Sequence, residues 1–503
     1  MFFLAGWLGD ALALLAGALM PLAFAPHDYF PLAIVSLALL FASWLAATAG
    51  RAFWRGFLFG LAMFGFGVHW VYISIHGYGG VAVPLALFLS ALLVMYMALF
   101  PALLGYLLVR FVPGLGARSA VSKLLLVFPA AWCLSELLRG WLFTGFPWLS
   151  LGYSQIDSPL SGIAPLLGVY GVSWAAALAA ALLLSLLLQR AWRARFASAL
   201  ALLALFGAAQ ALSTLDWTRP AGEMVRVSLV QGNIPQELKW DDSVYQSTFD
   251  LYRRLTRAHK DSDLVVWPET AVPDFYHVAK GELGEIWREA RQHHTDLLVG
   301  VLYLDQDSRH YYNALLGLSE QESFYFKSHL VPFTEYLPLR ALFGDLVDFM
   351  QVPMSNFSAG RIDQAPLSLA GNPIGMSICY EDVFGEELVR VVPQATMLAN
   401  VSNDGWFGDS GAAWQHLQIA RMRALEAGRP LLRATNTGVS SIMDHRGDVM
   451  AMSELNITDV VSAEVEPRAG LTPYVRFRNT PVLVLVLVAT VGGVVWVARG
   501  RRR

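Results

Sequence analysis

Cys379 stands in PIGMSICYEDVFGEE, where an apolar run ends at the thiol and a helical pattern begins at once. That order predicts a sharp turn at a sheet edge, with backbone N–H groups that favour a thiolate and can hold an oxyanion. A free cysteine is more often a small buried hydrophobe than a nucleophile, so it needs partners. Glu269, in VVWPET, directly follows an apolar strand, behind a Trp-Pro pair that restrains the backbone. Beside Trp267 its charged form is poorly hydrated, which suits it to exchange a proton with a thiol. Alone, an acid at a strand end is read equally well as a surface cap. Lys327, in FYFKSHLVPFTEYLP, lies among aromatic and apolar residues. There an ammonium is costly unless it meets a carboxylate or a developing negative charge, or unless its stem carries it to water. Thiol, carboxylate and ammonium together would perform acyl transfer.

These residues must be placed by the elements around them. VRVSLVQGNI, DLVVWPET, DLLVGVLYL, YYNALLGL, FYFKSHLVP, PIGMSICYED, TMLANVSND, LLRATNTGVSSIMD and DVVSAEV read as strands. YQSTFDLYRRLTRAHK, ELGEIWREARQHH and WQHLQIARMRALEAG read as helices. Strands alternating with helices, and rich in Val and Leu, predict a layered α/β domain.

Outside this middle region the chain changes character. Between Asp216 and Ala469 there are 35 Asp and Glu against 21 Lys and Arg, whereas the whole chain is at −3, so the flanks are basic. Mean hydropathy is +0.47 and only 15% of residues are charged. Apolar runs long enough to cross a bilayer lie near 8–25, 30–48, 56–75, 82–110, 122–140, 162–188, 196–213 and 480–498. The basic clusters at Arg51 and Arg55, at Arg110, Arg118 and Lys123, at Arg190, Arg193 and Arg195, and at Arg499 and Arg501 to Arg503 all fall on one side if eight spans begin from a cytoplasmic N-terminus. The expectation is therefore a multi-domain chain. Residues 1–215 form a seven-span helical bundle, 216–472 an extracytoplasmic catalytic domain, and 473–503 a last span with a cytoplasmic tail. No basic stripe points to nucleic acid. Two cysteines make no disulfide framework, and Cys133 sits in an apolar run.

The order Glu in WPE, Lys in KSHLVPF and Cys in ICYE resembles the nitrilase, or carbon–nitrogen hydrolase, superfamily. The segments FAPHDYFPL, GVHWVYISIHGYGG, LRGWLFTGFPWLSLGYSQ, LVQGNIPQELKW, HLVPFTEYLP and SNDGWFGDS extend the resemblance over nearly the whole chain to its membrane branch, the apolipoprotein N-acyltransferase family. That resemblance implies an αββα sandwich with Glu269 as general base, Cys379 as nucleophile, and Lys327 holding the oxyanion with the Tyr380 backbone N–H. Glu335 and Glu381 would support the site, and Trp240, Trp406 and Phe407 would serve substrate access. It implies a thioester route, needing no cofactor or metal, from a phospholipid donor (typically phosphatidylethanolamine) to the α-amine of a diacylglyceryl-cysteine apolipoprotein. The setting would be a bacterial inner membrane, with the catalytic domain periplasmic and both termini cytoplasmic.

Other readings stay open at this level. Asn403 and Asp404 would shape a substrate pocket or, as favoured, make an Asx turn before Gly405. Trp240, Trp406 and Phe407 fit ordinary rim packing as well as lipid contact. Glu136 and Arg139 share a helix face and would mark a functional cavity or, as favoured, a structural pair. A tethered nitrilase-like amidase using water, and a transporter with an inactive nitrilase-like domain, are the competing functions.

Overall fold

The computed structural model describes residues 6–45, 47–112, 120–336 and 356–499. Arg118, Arg501 to Arg503 and the Leu337–Pro338 end of FTEYLP lie outside them. The chain divides into two compact units: Met1–Tyr72, Ala82–Asp216 and Arg476–Arg503, and Ile73–Val81 with Trp217–Val475. Residues 73–81, read from sequence as part of the helical bundle, therefore group with the second unit.

In the first unit a helix stands at each expected apolar run. Among the described residues, Val83–Phe111, Pro159–Leu188 and Trp192–Ser213 are long and apolar enough to cross a membrane. Ala49–Gly67 and Trp70–Tyr78 pass only as a pair bent by 54°, while Trp7–Ala23, Pro31–Trp44 and Thr480–Gly493 are shorter apolar helices. Small residues let these helices approach closely. A Cβ on Gly56 would lie 2.2 Å from the Pro101 carbonyl oxygen. Glu136 and Arg139 are both buried and grip the segment that follows them. Glu136 accepts from Leu151 N at 2.8 Å, and Arg139 donates to the carbonyls of Phe146 and Trp148 at 2.7 and 2.5 Å.

The second unit is built on two six-stranded sheets. The strands of these two sheets in chain order are β1 Val225–Gln231, β2 Leu264–Val266, β3 Asp296–Leu304, β4 Tyr311–Leu318, β5 Glu322–Phe326, β6 Leu367–Leu369, β7 Asn372–Ile378, β8 Met397–Ser402, β9 Leu431–Thr435, β10 Ser441–Met443, β11 Val449–Met452 and β12 Asp459–Val465. One sheet has the order β12-β1-β2-β3-β4-β5 and the other β11-β10-β9-β8-β7-β6. Strands β1 to β3 are parallel, as are β7 to β9.

Because side chains alternate along a strand, each sheet has two faces to cover. Val227, Leu229, Leu264, Val266 and Leu298 of one sheet join Ile374, Met376, Ile378, Ala399, Val401 and Leu432 of the other in a single buried cluster. The opposite face of the first sheet is covered by helices Asp242–Ala258 and Tyr276–Arg291, through Phe249, Tyr252, Leu283 and Ile286. That of the second packs on helix Ala412–Ala427 through Leu417, Ala420 and Ala424. The layering is thus helix, sheet, sheet, helix. LLRATNTGVSSIMD, expected as one strand, is instead the antiparallel pair β9 and β10, reversing at Asn436–Val439. Gly438 occupies this bend, where a Cβ would meet Asp404 Oδ2 at 2.4 Å.

Candidate active site

Cys379 follows the last residue of β7 and opens a 3-10 turn, Cys379–Val383. Its φ is +50, a region non-glycine residues rarely enter and hold at about 1–3 kcal/mol. The surrounding bonds hold it there. The Ile378 N–H donates to Glu381 Oε2 at 2.7 Å, and the Cys379 carbonyl accepts from Asn400 Nδ2 at 3.2 Å. A strained strand-to-helix turn of this kind lifts a nucleophile clear of its sheet.

Glu269 lies three residues beyond β2. Trp267 before it is fully buried and stacks on Tyr252 at 4.7 Å, which anchors the strand end in the helix-side core. Strand β3 passes so close behind that a Cβ on Gly300 would sit 2.2 Å from the Pro268 carbonyl oxygen. The Glu269 carboxylate accepts from Asn313 Nδ2 at 2.7 Å and lies 3.6 Å from Lys327 Nζ. Lys327 is 1% exposed, just past β5, with its ammonium 2.8 Å from Glu335 Oε1. Asn313 also donates to Glu335 at 3.3 Å, and the second Glu335 oxygen accepts from Val331 N at 2.7 Å.

The charges act on one another. Burial disfavours the Lys327 ammonium, but Glu335, Glu269 and Cys379 outweigh it and hold its pKa well above the usual lysine value. Burial raises the Cys379 thiol, as do the charges of Glu269 and Asp404, against the opposing pull of Lys327 and a hydrogen bond from Ser402. Burial therefore works against the thiolate that the turn alone would favour, so a base within reach of the sulfur is what the site would need to use it as a nucleophile.

Glu381 is buried and accepts from Ile378 N, Ser328 N, Ser328 Oγ and His329 N at 2.7 to 3.1 Å, and from the Tyr325 hydroxyl at 3.0 Å. The Tyr380 ring packs edge-on to Phe384 at 5.1 Å. Trp240 is 38% exposed. Trp406 is half-buried and meets Tyr78 edge-on at 6.2 Å, and Phe407 beside it is also half-buried.

Asn403 makes no Asx turn. It caps nothing, and its amide instead donates to Gln236 Oε1 at 2.7 Å and accepts from Asn436 at 3.3 Å. Asp404 is likewise turned inward, to Ser402, His416 and Arg433. Burial decided both: at 3% exposure neither polar side chain can be left for water. Asn403 thus ties the loop bearing Trp240 to the loop bearing Trp406.

Sequence reasoning missed several participants. Asn313 was legible as an amide in the middle of the apolar strand YYNALLGL. Lys239, hidden beside Trp240, donates to the Glu269 main-chain carbonyl at 3.1 Å. Ser377, Asn400 and Arg433 stand in register across β7, β8 and β9, and Arg433 leads to the buried set Asp382, Asp404 and His416. These four residues come from four separate segments with no shared motif.

A family model described as apolipoprotein N-acyltransferase N-terminal domain matches residues 16–182, and one described as carbon-nitrogen hydrolase matches residues 226–474. The chain is 49% identical to a protein of Methylococcus capsulatus named apolipoprotein N-acyltransferase, over 98% of this chain and 96% of that one. Proteins of the same name from Nitrosomonas europaea and Pseudomonas paraeruginosa are 44% and 43% identical, over 95% and 99% of this chain and 96% and 97% of theirs.

Proposed function

The chain belongs to the apolipoprotein N-acyltransferase family, and on that footing we propose that it moves a fatty acyl group from a phospholipid to the α-amine of a diacylglyceryl-cysteine apolipoprotein. The observation that carries the site assignment is the Lys327 ammonium standing 3.6 Å from Glu269 and 2.8 Å from Glu335, coupled by charge to Cys379 on its strained turn.

In the first step Glu269 takes the thiol proton as sulfur attacks the ester carbonyl of the donor, phosphatidylethanolamine in this reading. The carbonyl π-pair moves to oxygen, where the Lys327 ammonium and the Tyr380 backbone N–H stabilise it. One such donor contributes roughly 10²- to 10³-fold in rate. Collapse breaks the C–O bond, and the proton on Glu269 passes to the departing alkoxide, giving a lysophospholipid and a thioester on Cys379. In the second step the apolipoprotein amine, having lost its ammonium proton to water, attacks the thioester. The C–N bond forms, the C–S bond breaks, and the amine's remaining excess proton returns the sulfur to a thiol through Glu269. Glu335 and Asn313 hold Lys327 and Glu269, and Trp240, Asn403, Trp406 and Phe407 border the way in.

Both substrates are held in lipid, which supports a placement with eight spans in a bacterial inner membrane, both termini cytoplasmic and the catalytic domain on the periplasmic surface. Tethering there replaces a search in three dimensions by one in a plane. Incubation of the purified protein with acyl-labelled phosphatidylethanolamine tests the reading. Label is expected on Cys379, lost in Cys379→Ala, slowed at least ~10²-fold in Lys327→Met, and discharged by a diacylglyceryl lipopeptide. Discharge to water alone, with the lipopeptide inert, would assign an amidase instead.

A further inference from the structure

At the end of the loop between Gly232 and Asp241 one buried side chain stands between two exposed ones. Leu238 and Trp240 are 44% and 38% exposed, while Lys239 between them is 4% exposed. A surface lysine carries its ammonium to water on a flexible stem. Lys239 does the opposite, directing Nζ to the Glu269 carbonyl oxygen at 3.1 Å. Among the described residues no carboxylate lies within ion-pair distance of it. Burying an ammonium with a single neutral acceptor is unfavourable unless its charge is needed nearby. Burial lowers its pKa to about 8, with the charge of Glu269 working in the opposite direction.

The nearby charges show where it is needed. Glu269 and Glu335 are two negative charges whose only ion-pair contact among the described residues is Lys327. Counting Lys239, the set is neutral, and it stays neutral when the thiol proton moves to Glu269 and the negative charge passes to the oxyanion. Without Lys239 the set carries one uncompensated negative charge, which favours a protonated Glu269 unable to act as base. The backbone at this point also needs holding, since Thr270 after Glu269 has φ +45.

We propose that Lys239 is a positioning residue for the acyl transfer, orienting Glu269 through its main-chain carbonyl and supplying the second cation that keeps the Glu269 carboxylate ionised. This rests on Glu269 being the base. The other ionisable groups facing that carboxylate are Lys327, Glu335 and Cys379.

The test is the pH profile of acyl-enzyme formation from acyl-labelled phosphatidylethanolamine, using the full-length protein in lipid nanodiscs. Lys239→Gln keeps a donor for the carbonyl but no charge, Lys239→Met keeps neither, and Lys239→Arg keeps both. In the Gln and Met variants the acid limb should move up by about one pH unit, a roughly tenfold slower reaction on the acid side that recovers as pH rises. Lys239→Arg should follow the wild type. An unmoved limb in Lys239→Gln, or an equal loss at every pH, overturns the charge role. Glu269→Gln separates the two assignments. If it still forms acyl-enzyme at the wild-type rate, the base assignment itself fails. If it is inactive while Lys239→Gln is unshifted, only the role of Lys239 fails.

Discussion

At Glu381 one carboxylate collects donors from the two segments that carry Cys379 and Lys327, which the proposed reaction would need in fixed relation. It receives the Ile378 N–H at the start of the nucleophile turn, and the Ser328 and His329 N–H groups immediately after Lys327. The first bond is the reciprocal half of a capping box, a third-position Glu reaching back to the residue before the turn. Only a carboxylate presents acceptors on both oxygens, since an amide would turn an NH2 group against one of these N–H donors. Glu381→Gln is therefore expected to cost about 2–4 kcal/mol of domain stability, the range of one or two charge-assisted bonds. It should also slow acyl-enzyme formation by more than about tenfold, as turn and lysine lose their common anchor. Thermal unfolding and labelling of Cys379 measure the two effects, and a variant unchanged in both would remove Glu381 from the support of the site.

Between elements, the deciding contact is the buried quartet that includes Asp382 of the Cys379–Val383 turn. Asp382 lies on that turn, Asp404 follows β8, His416 is on helix Ala412–Ala427, and Arg433 is on β9. His416 spans the two acids at 2.8 and 3.0 Å, and Arg433 reaches both at 3.3 and 3.0 Å. Burial pushes the Asp404 carboxyl up, but Arg433 and His416 outweigh it and hold it well below the usual carboxylate range. Burial and Arg433 disfavour the His416 cation, and the two aspartates nonetheless raise its pKa above the ordinary value. Asp404→Asn leaves two buried cations against one acid and is expected to cost about 3–5 kcal/mol, read as a lower unfolding temperature. The raised imidazole fixes a pH direction. Its contribution is fully present below the unfolded value of about 6.5 and is lost as pH rises through the higher folded value. The unfolding temperature should thus fall toward alkaline pH in the wild type and flatten in His416→Gln. An equal slope in both would assign the loss to other groups.

On the scale of the whole molecule, the arginine clusters of the sequence lead to the expectation that the Arg190 loop and the Trp217–Val475 segment face opposite sides of a membrane. Arg361→Cys and Arg190→Cys, both at exposed positions, test this in a background lacking Cys133 and Cys379. In spheroplasts an impermeant maleimide should modify the first and reach the second only after lysis. The reverse order would invert the topology. Both natural cysteines are unpaired, and Cys133 sits within an apolar helix contact with Val482 and Val486.

What the sequence determined by itself was whatever a short window can carry. The eight apolar runs, the strand ends at Glu269 and Cys379, and the DLLVGVLYL and YYNALLGL strands were legible because periodicity and apolar length act between near neighbours. Short strands such as Leu367–Leu369 and Val449–Met452 escaped notice because three or four residues hold too little pattern, and they form only against β7 and β10. Tertiary structure alone decided that Asn403 and Asp404 turn inward, that burial works against a Cys379 thiolate, and that Lys239 is buried with its ammonium on the Glu269 carbonyl. Each of these is settled by burial and by charges brought from distant segments, and neither is a property of a residue among its neighbours in the chain.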